Sequence, residues 1–268
     1  DDQGIHGFSK EMKKTNKYTR MKKIIIPALV LLTTLHLSAK DYKASLFGVK
    51  SDGSALNTRS IQKAIDYISE NGGGRLVFYV GRYLTGTLQL KNNVTIQMEE
   101  GAVLVGAPTI YDYRGIGGRK SLIVADSVSN SGITGKGVLD GQGTALLAQI
   151  RTQIRKGYLK ESEEQAIPAL VVMNHCQGIV IEGINLINAC GDVQAYNSCN
   201  ALTITGATIK STAVEGSKGL VLSECDGVQL SHLFFETSGK EVTTDGKSKN
   251  LSVSGCKNGA GKRITTTN

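Results

Sequence analysis

Four segments in the second half of the chain carry the same alternation of apolar and polar positions: Gly178-Ile179-Val180-Ile181, Ala201-Leu202-Thr203-Ile204, Gly227-Val228-Gln229-Leu230 and Asn250-Leu251-Ser252-Val253. Their last apolar residues, Ile181, Ile204, Leu230 and Val253, follow one another at nearly equal intervals, the middle one slightly longer. Alternation of this kind predicts half-buried strands. Short strands that return every roughly 20–30 residues predict a β-solenoid, in which each coil buries its inner face against its neighbours. Strands at this spacing also suit a sandwich. A cysteine three places ahead of the first core residue in three segments (Cys176, Cys199, Cys225) argues for the solenoid. A sandwich has no reason to reuse one inward position on every turn.

The rest of the chain reads as attachments to this repeat. Phe47–Gly53 is expected to be a strand and turn. Asn57-Thr58 is placed to cap a helix whose Ile61, Ala64, Ile65 and Ile68 fall at helical spacing, with Gly72-Gly73-Gly74 ending it. Such a helix would cover the strand edges and apolar end of the first coil. Strands are predicted over Arg75–Tyr79, Tyr83–Leu90, Val94–Met98, Ala102–Val105, Leu122–Val124 and Gly132–Thr134, followed by a glycine-rich strand and turn from Gly135 to Gly143. Thr144–Ala166 interrupts the repeat with helical spacing at Leu147, Ile150 and Ile154, a break at Gly157 and a charged tail. It is expected to wall one side of the solenoid. No second amphipathic helix closes the far end at Ile264–Asn268, so either a protein partner covers the last coil or the domain is shorter than the one it derives from.

Composition and charge refine this picture. With 5% aromatic residues, no Trp, 32 Gly and 3 Pro, the chain suits a narrow aliphatic interior and many tight turns. Met21-Lys22-Lys23, the apolar run Ile24–Leu37 and Ser38-Ala39 have the layout of a bacterial-type secretory signal, and the run is too short and too polar to span a bilayer. The expected organisation is therefore an upstream tag-like segment 1–20, for which a soluble N-terminal arm is the alternative, a signal peptide 21–39 and a β-helix domain 40–268. A secreted or periplasmic location follows, without membrane insertion after cleavage.

Residues 1–39 hold seven of the 31 Lys/Arg and three of the 23 Asp/Glu, so the net charge of +8 drops to +4 without them. That excess is too thin to indicate nucleic-acid binding. Export permits disulfides, but Cys176, Cys199 and Cys225 in one phase read as a packed, reduced ladder about 5 Å per step. Neither a zinc spacing, a phosphate loop nor a carboxylate cluster for calcium is present, and no metal or cofactor is expected.

Four stretches resemble the polygalacturonase-type glycoside hydrolases: Phe47-Gly48-Val49-Lys50-Ser51-Asp52-Gly53, the glycine-rich link with Tyr83-Leu84-Thr85-Gly86-Thr87, Asn93-Val94-Thr95-Ile96 through Glu100-Gly101-Ala102-Val103-Leu104, and Gly135 to Gly143. The resemblance runs from about Tyr42 to Gly261. It implies an all-β, single-stranded, right-handed parallel β-helix of the pectin-lyase-like kind with an N-terminal capping α-helix, and an acidic plant-type polysaccharide as partner. It also implies inverting hydrolysis by paired aspartates, one protonating the leaving oxygen and one activating water.

The family's acid motifs do not read through. Where Asn-x-Asp-Gly is expected the chain has Gly216-Ser217-Lys218-Gly219, where Gly-Asp-Asp is expected it has Ser238-Gly239-Lys240, and Gly259-Ala260-Gly261 stands for Gly-His-Gly, with Lys262-Arg263 close by. A lysine cannot replace a carboxylic acid. Glu215 and Glu241 follow Ile204 and Leu230 at the same distance along the chain, so they are candidates for a relocated pair if the intervening loops match; the competing reading is surface ion pairs with Lys218 and Lys240. Asp245, in an Asp-Gly turn, is a lesser candidate. Lys218, Lys240 and Lys262 recur at equal intervals close to the coil length and, with Arg263, could hold an acidic polymer; chance recurrence of solvated lysines is the alternative. His175 and His232 read as structural. Three functions remain open: a hydrolase with displaced acids, a non-catalytic carbohydrate-binding β-helix, or a truncated inactive fragment.

Overall fold

A computed structural model describes residues 39–164 and 167–265. The expected segment 1–20 and all but the last residue of the expected signal 21–39 lie outside the described residues. From Gln177 the chain runs through strands Gln177–Glu182, Asn185–Ile187 and Gln194–Asn197, then begins the next coil at Asn200–Thr205, parallel and in register with the first. Repetition of this path builds three sheets. Among the described residues sheet A has eight strands, from Asp41–Lys43 to Lys249–Ser254, and sheets B and C have seven and six along the same axis, with one antiparallel strand beside sheet C. The fold is a right-handed parallel β-helix, the hand expected of parallel crossovers.

The alternation read from the sequence explains why the coils stack. Ile181, Ile204, Leu230 and Val253 form one column, and the ladder extends it downward through Ile133, Ile96, Leu76 and Tyr42. Between Leu76 and Leu230 no member is more than 1% exposed. In the last coil the inward-facing Val242, Leu251 and Val253 are only half-buried.

The cysteine ladder lies at a corner. His175, Ser198 and Glu224 adopt left-handed backbone (φ 52°, 51° and 53°), and the following Cys176, Cys199 and Cys225 are buried against the core. Each thiol donates to the carbonyl two residues back: Cys176 to Asn174 (3.1 Å), Cys199 to Asn197 (3.5 Å) and Cys225 to Ser223 (3.3 Å). All five cysteines are free and buried. The close approach of the thiols along this column shifts them in opposite directions, Cys225 below its ordinary value and Cys199 above.

Helix α1, Thr58–Glu70, closes the first coil with Ile61, Ala64, Ile65 and Ile68 fully buried. Asn57 stands at its N-cap but makes no capping bond. Its buried amide instead clamps the preceding loop, accepting from the Lys50 N–H (2.8 Å) and donating to the carbonyls of Lys50 and Ala55 (2.9 Å each). The chain leaves the helix through Gly73, whose N–H reaches back to the Ile68 carbonyl (2.8 Å) at φ +93°, a conformation that favours glycine.

The expected strand Tyr83–Leu90 is two strands, Gly81–Thr85 in sheet B and Leu88–Gln89 in sheet C, because the coil turns at Gly86-Thr87. The interrupting segment forms helix α2, Gly143–Arg155, which buries Leu146 and Ile150, with Leu147 and Ile154 at the edge of the core.

Candidate functional site

Sheet C turns one face to the core and the other outward. Val171, Gln194, Leu220 and Val242 are paired along the inner face, so the intervening Val172, Ala195, Val221 and Thr243 face outward. On one side of that row runs a polar column, Asp126, Asn174, Asn197 and Ser223. Ser223 donates to Asp245 (2.8 Å), which accounts for that aspartate lying below its ordinary range, and Asp126 pairs with His175 Nδ1 (3.1 Å).

On the other side the chain enters sheet C. There the Val193 N–H donates to the Lys218 carbonyl (2.8 Å) and the Gly219 N–H to the Lys240 carbonyl (3.0 Å), which puts Asp192, Lys218 and Lys240 at one level on three successive coils. Asp192 is tied down at both oxygens: Oδ2 meets Arg119 Nη2 at 2.7 Å, and Oδ1 accepts from the Lys218 N–H at 3.3 Å.

Glu215 and Glu241 do not come into register. Glu241 sits opposite Gly219, further along the chain than Glu215. Equal spacing from Ile204 and Leu230 misleads because the two loops differ in length. Leu220 and Val242 are partners in the ladder, yet Leu220 lies further beyond Ile204 than Val242 lies beyond Leu230. Glu215 lines a hollow of about 230 Å³ with Arg119, Asp192 and Ser217. Glu241 lines another of about 190 Å³ with Asn258, Lys262 and Arg263. Its carboxylate accepts from Asn258 Nδ2 (2.8 Å), and that bond, supported by the Lys262 charge, holds it below its ordinary value. Lys262 and Arg263 lie on an exposed turn that folds back to bridge Lys257, beyond the last strand of sheet C.

A hairpin lies across the outward face. Arg114–Ile116 pairs antiparallel with the start of Arg119–Asp126 through Gly117-Gly118, both at positive φ (55° and 80°), as a two-residue hairpin turn requires. Ile116 packs against the outward cluster of Ala169, Val172 and Ala195, and Gly117 abuts the Asn174 amide. Neither Asp192 nor this hairpin was singled out by the sequence. Asp192 had a signal, since it precedes Lys218 by the same step that separates Cys199 from Cys225. The hairpin had only the Gly117-Gly118 pair as a turn signal, because Arg114–Arg119 contains almost no apolar alternation.

The match to a family model decides the affiliation: residues 78–265 fit the model described as glycosyl hydrolases family 28. The chain belongs to glycosyl hydrolases family 28. It is 26% identical over 256 residues to the exo-poly-alpha-D-galacturonosidase of Dickeya chrysanthemi, a match covering 82% of this chain and 40% of that protein. It is also 26% identical over 179 residues to the endo-polygalacturonase of Pectobacterium parmentieri, covering 61% and 44%. The family 28 chain thus spans about two fifths of the length of these relatives.

Among solved structures, a Parabacteroides merdae protein assigned as a glycosyl hydrolase superposes with a TM-score of 0.81 at 43% identity, over 85% of this chain and 100% of that one. The family 28 exopolygalacturonase of Yersinia enterocolitica superposes with a TM-score of 0.74 at 19% identity, over 82% and 49%, a likeness of fold. No helix among the described residues is long and apolar enough to cross a membrane. Among those residues, no group of three or more His, Cys, Asp or Glu is placed to hold a metal ion.

Proposed function

We propose that this family 28 chain is an exported protein that holds an acidic, pectic-type polysaccharide on the outward face of sheet C and does not cleave it by the family's paired aspartates. The observation that carries this reading is the level shared by Lys218 and Lys240 on neighbouring coils, with Gly239 beside them. The resemblance places the acids of the family at these three positions. Glycosidic hydrolysis by that route needs one carboxyl group to give a proton and another to activate water. A charged lysine ammonium is a far weaker acid than a carboxyl group and has no lone pair with which to activate water, yet it donates up to three hydrogen bonds and attracts the carboxylates of a uronic-acid chain. The galacturonan-directed names of the relatives support that class of ligand.

Incubation with polygalacturonate, followed for both binding and new reducing ends, tests the reading. Binding that weakens with salt, without release of reducing ends, is the expected result. A charge-assisted hydrogen bond contributes about 1.5–3 kcal/mol, so Lys218→Ala and Lys240→Ala should each weaken binding about tenfold or more. Release of reducing ends that is lost in Glu215→Gln or Glu241→Gln would replace this reading with a hydrolase using displaced acids. N-terminal sequencing of the exported protein should begin at Lys40; retention of residues 1–39 would refute cleavage of a signal.

A further inference from the structure

The hairpin Arg114–Ser121 changes what the outward face of sheet C can accept. On an uncovered sheet, the outward residues of two successive coils, Val172 and Ala195, would be open to solvent. They are instead only 2% and 4% exposed. Ile116 contributes to that cover by packing on the cluster they form with Ala169, Gly117 rests on Asn174, and Arg119 pins the tip by its ion pair with Asp192. The anchors are of three kinds, apolar, backbone and ionic, and they span both coils. On the far flank of the hairpin, Arg114, Ile116 and Val124 line a separate hollow with residues of α1. On the near flank, Gly118 and Arg119 form one wall of the hollow that holds Asp192, Glu215 and Ser217.

We propose that the hairpin closes the groove, so that the protein holds the end of an acidic polysaccharide chain and not its interior. This rests on the binding reading above and adds its geometry. The open part of the face runs from Asp192 past Lys218 to Lys240, two coil steps or about 10 Å, enough for a short oligosaccharide. A chain lying over the two lysines meets the hairpin at Asp192 and cannot continue. Its terminal residue lies in the hollow, where the carboxylates of Asp192 and Glu215 accept hydrogen bonds from sugar hydroxyls and the Arg119 guanidinium donates to them. The lysines take the carboxylates of the residues that follow.

Isothermal titration of the full chain with trigalacturonate, and with long polygalacturonate of known mean length, counts the proteins held per saccharide chain. End binding gives one protein per chain for both ligands. A number that rises with chain length overturns the inference and leaves the binding reading intact. Binding to neither ligand removes the binding reading itself, and this inference with it. The double variant Ile116→Ser and Arg119→Ala releases the tip from its apolar and ionic anchors, with circular dichroism to confirm that the coils remain. It should raise the number held per long chain above one; an unchanged number would show that the hairpin is not what closes the groove.

Discussion

Ile204 is the sharpest probe of how the coils hold together. It is fully buried, with Ile181 on the coil before and Leu230 on the coil after. Truncation to alanine removes three methyl or methylene groups, about 2.4 kcal/mol at roughly 0.8 kcal/mol each. The space left behind adds up to about 2 kcal/mol unless the surroundings collapse into it. Collapse is resisted because the strand of Ile204 is hydrogen-bonded to parallel neighbours on both edges. Ile204→Ala should therefore destabilise the protein by about 3–4 kcal/mol.

Val253 occupies the same column in the last described coil, half-buried and with no further strand of sheet A beyond it among the described residues. Val253→Ala removes two groups that are already partly hydrated, and should destabilise by about 1 kcal/mol. Urea titration of both variants by circular dichroism measures the two values from the shift in midpoint at constant slope. A solenoid can also melt from one end, in which case Val253→Ala moves only the earliest part of the transition. Equal losses in the two variants would refute the column as the unit of stability.

Gly132→Ala should be severe, about 2 kcal/mol or more, because a Cβ there would collide with the Val180 carbonyl of the adjoining strand; a melting temperature within a degree or so of the parent would show that the strands can part. The fold should also lose stability in acid. Glu241 is held below its ordinary 4.5 by the Asn258 amide, and Asp52 below its ordinary 3.8 by the N–H groups of Ala55 and Ser54. Both are depressed in the folded state, so their contribution is present above the ordinary values and is lost as pH falls through the folded ones. Thermal melts from neutrality to acid should fall below about pH 4.5, and less steeply in Glu241→Gln; identical slopes would mean that the Asn258 bond contributes nothing.

The period and phase of the apolar residues were enough to determine the β-helix. Strand alternation puts Ile181, Ile204, Leu230 and Val253 on one face, and their regular return along the chain leaves stacking as the way to bury them. The helix over Ile61–Ile68 and the inward cysteines follow from the same local rule. What distance along the chain could not determine was which side chains meet on the outward face. Loops between sheets B and C differ in length from coil to coil, so counting forward set Glu215 level with Glu241 when the ladder sets Gly219 there. The docking of the hairpin over the cluster that holds Val172 and Ala195 lies further still from any local signal, since Arg119 reaches Asp192 across 73 residues. Burial leaves a periodic trace in sequence because every coil repeats it; a groove and its closure arise once, from contacts between segments that share no period.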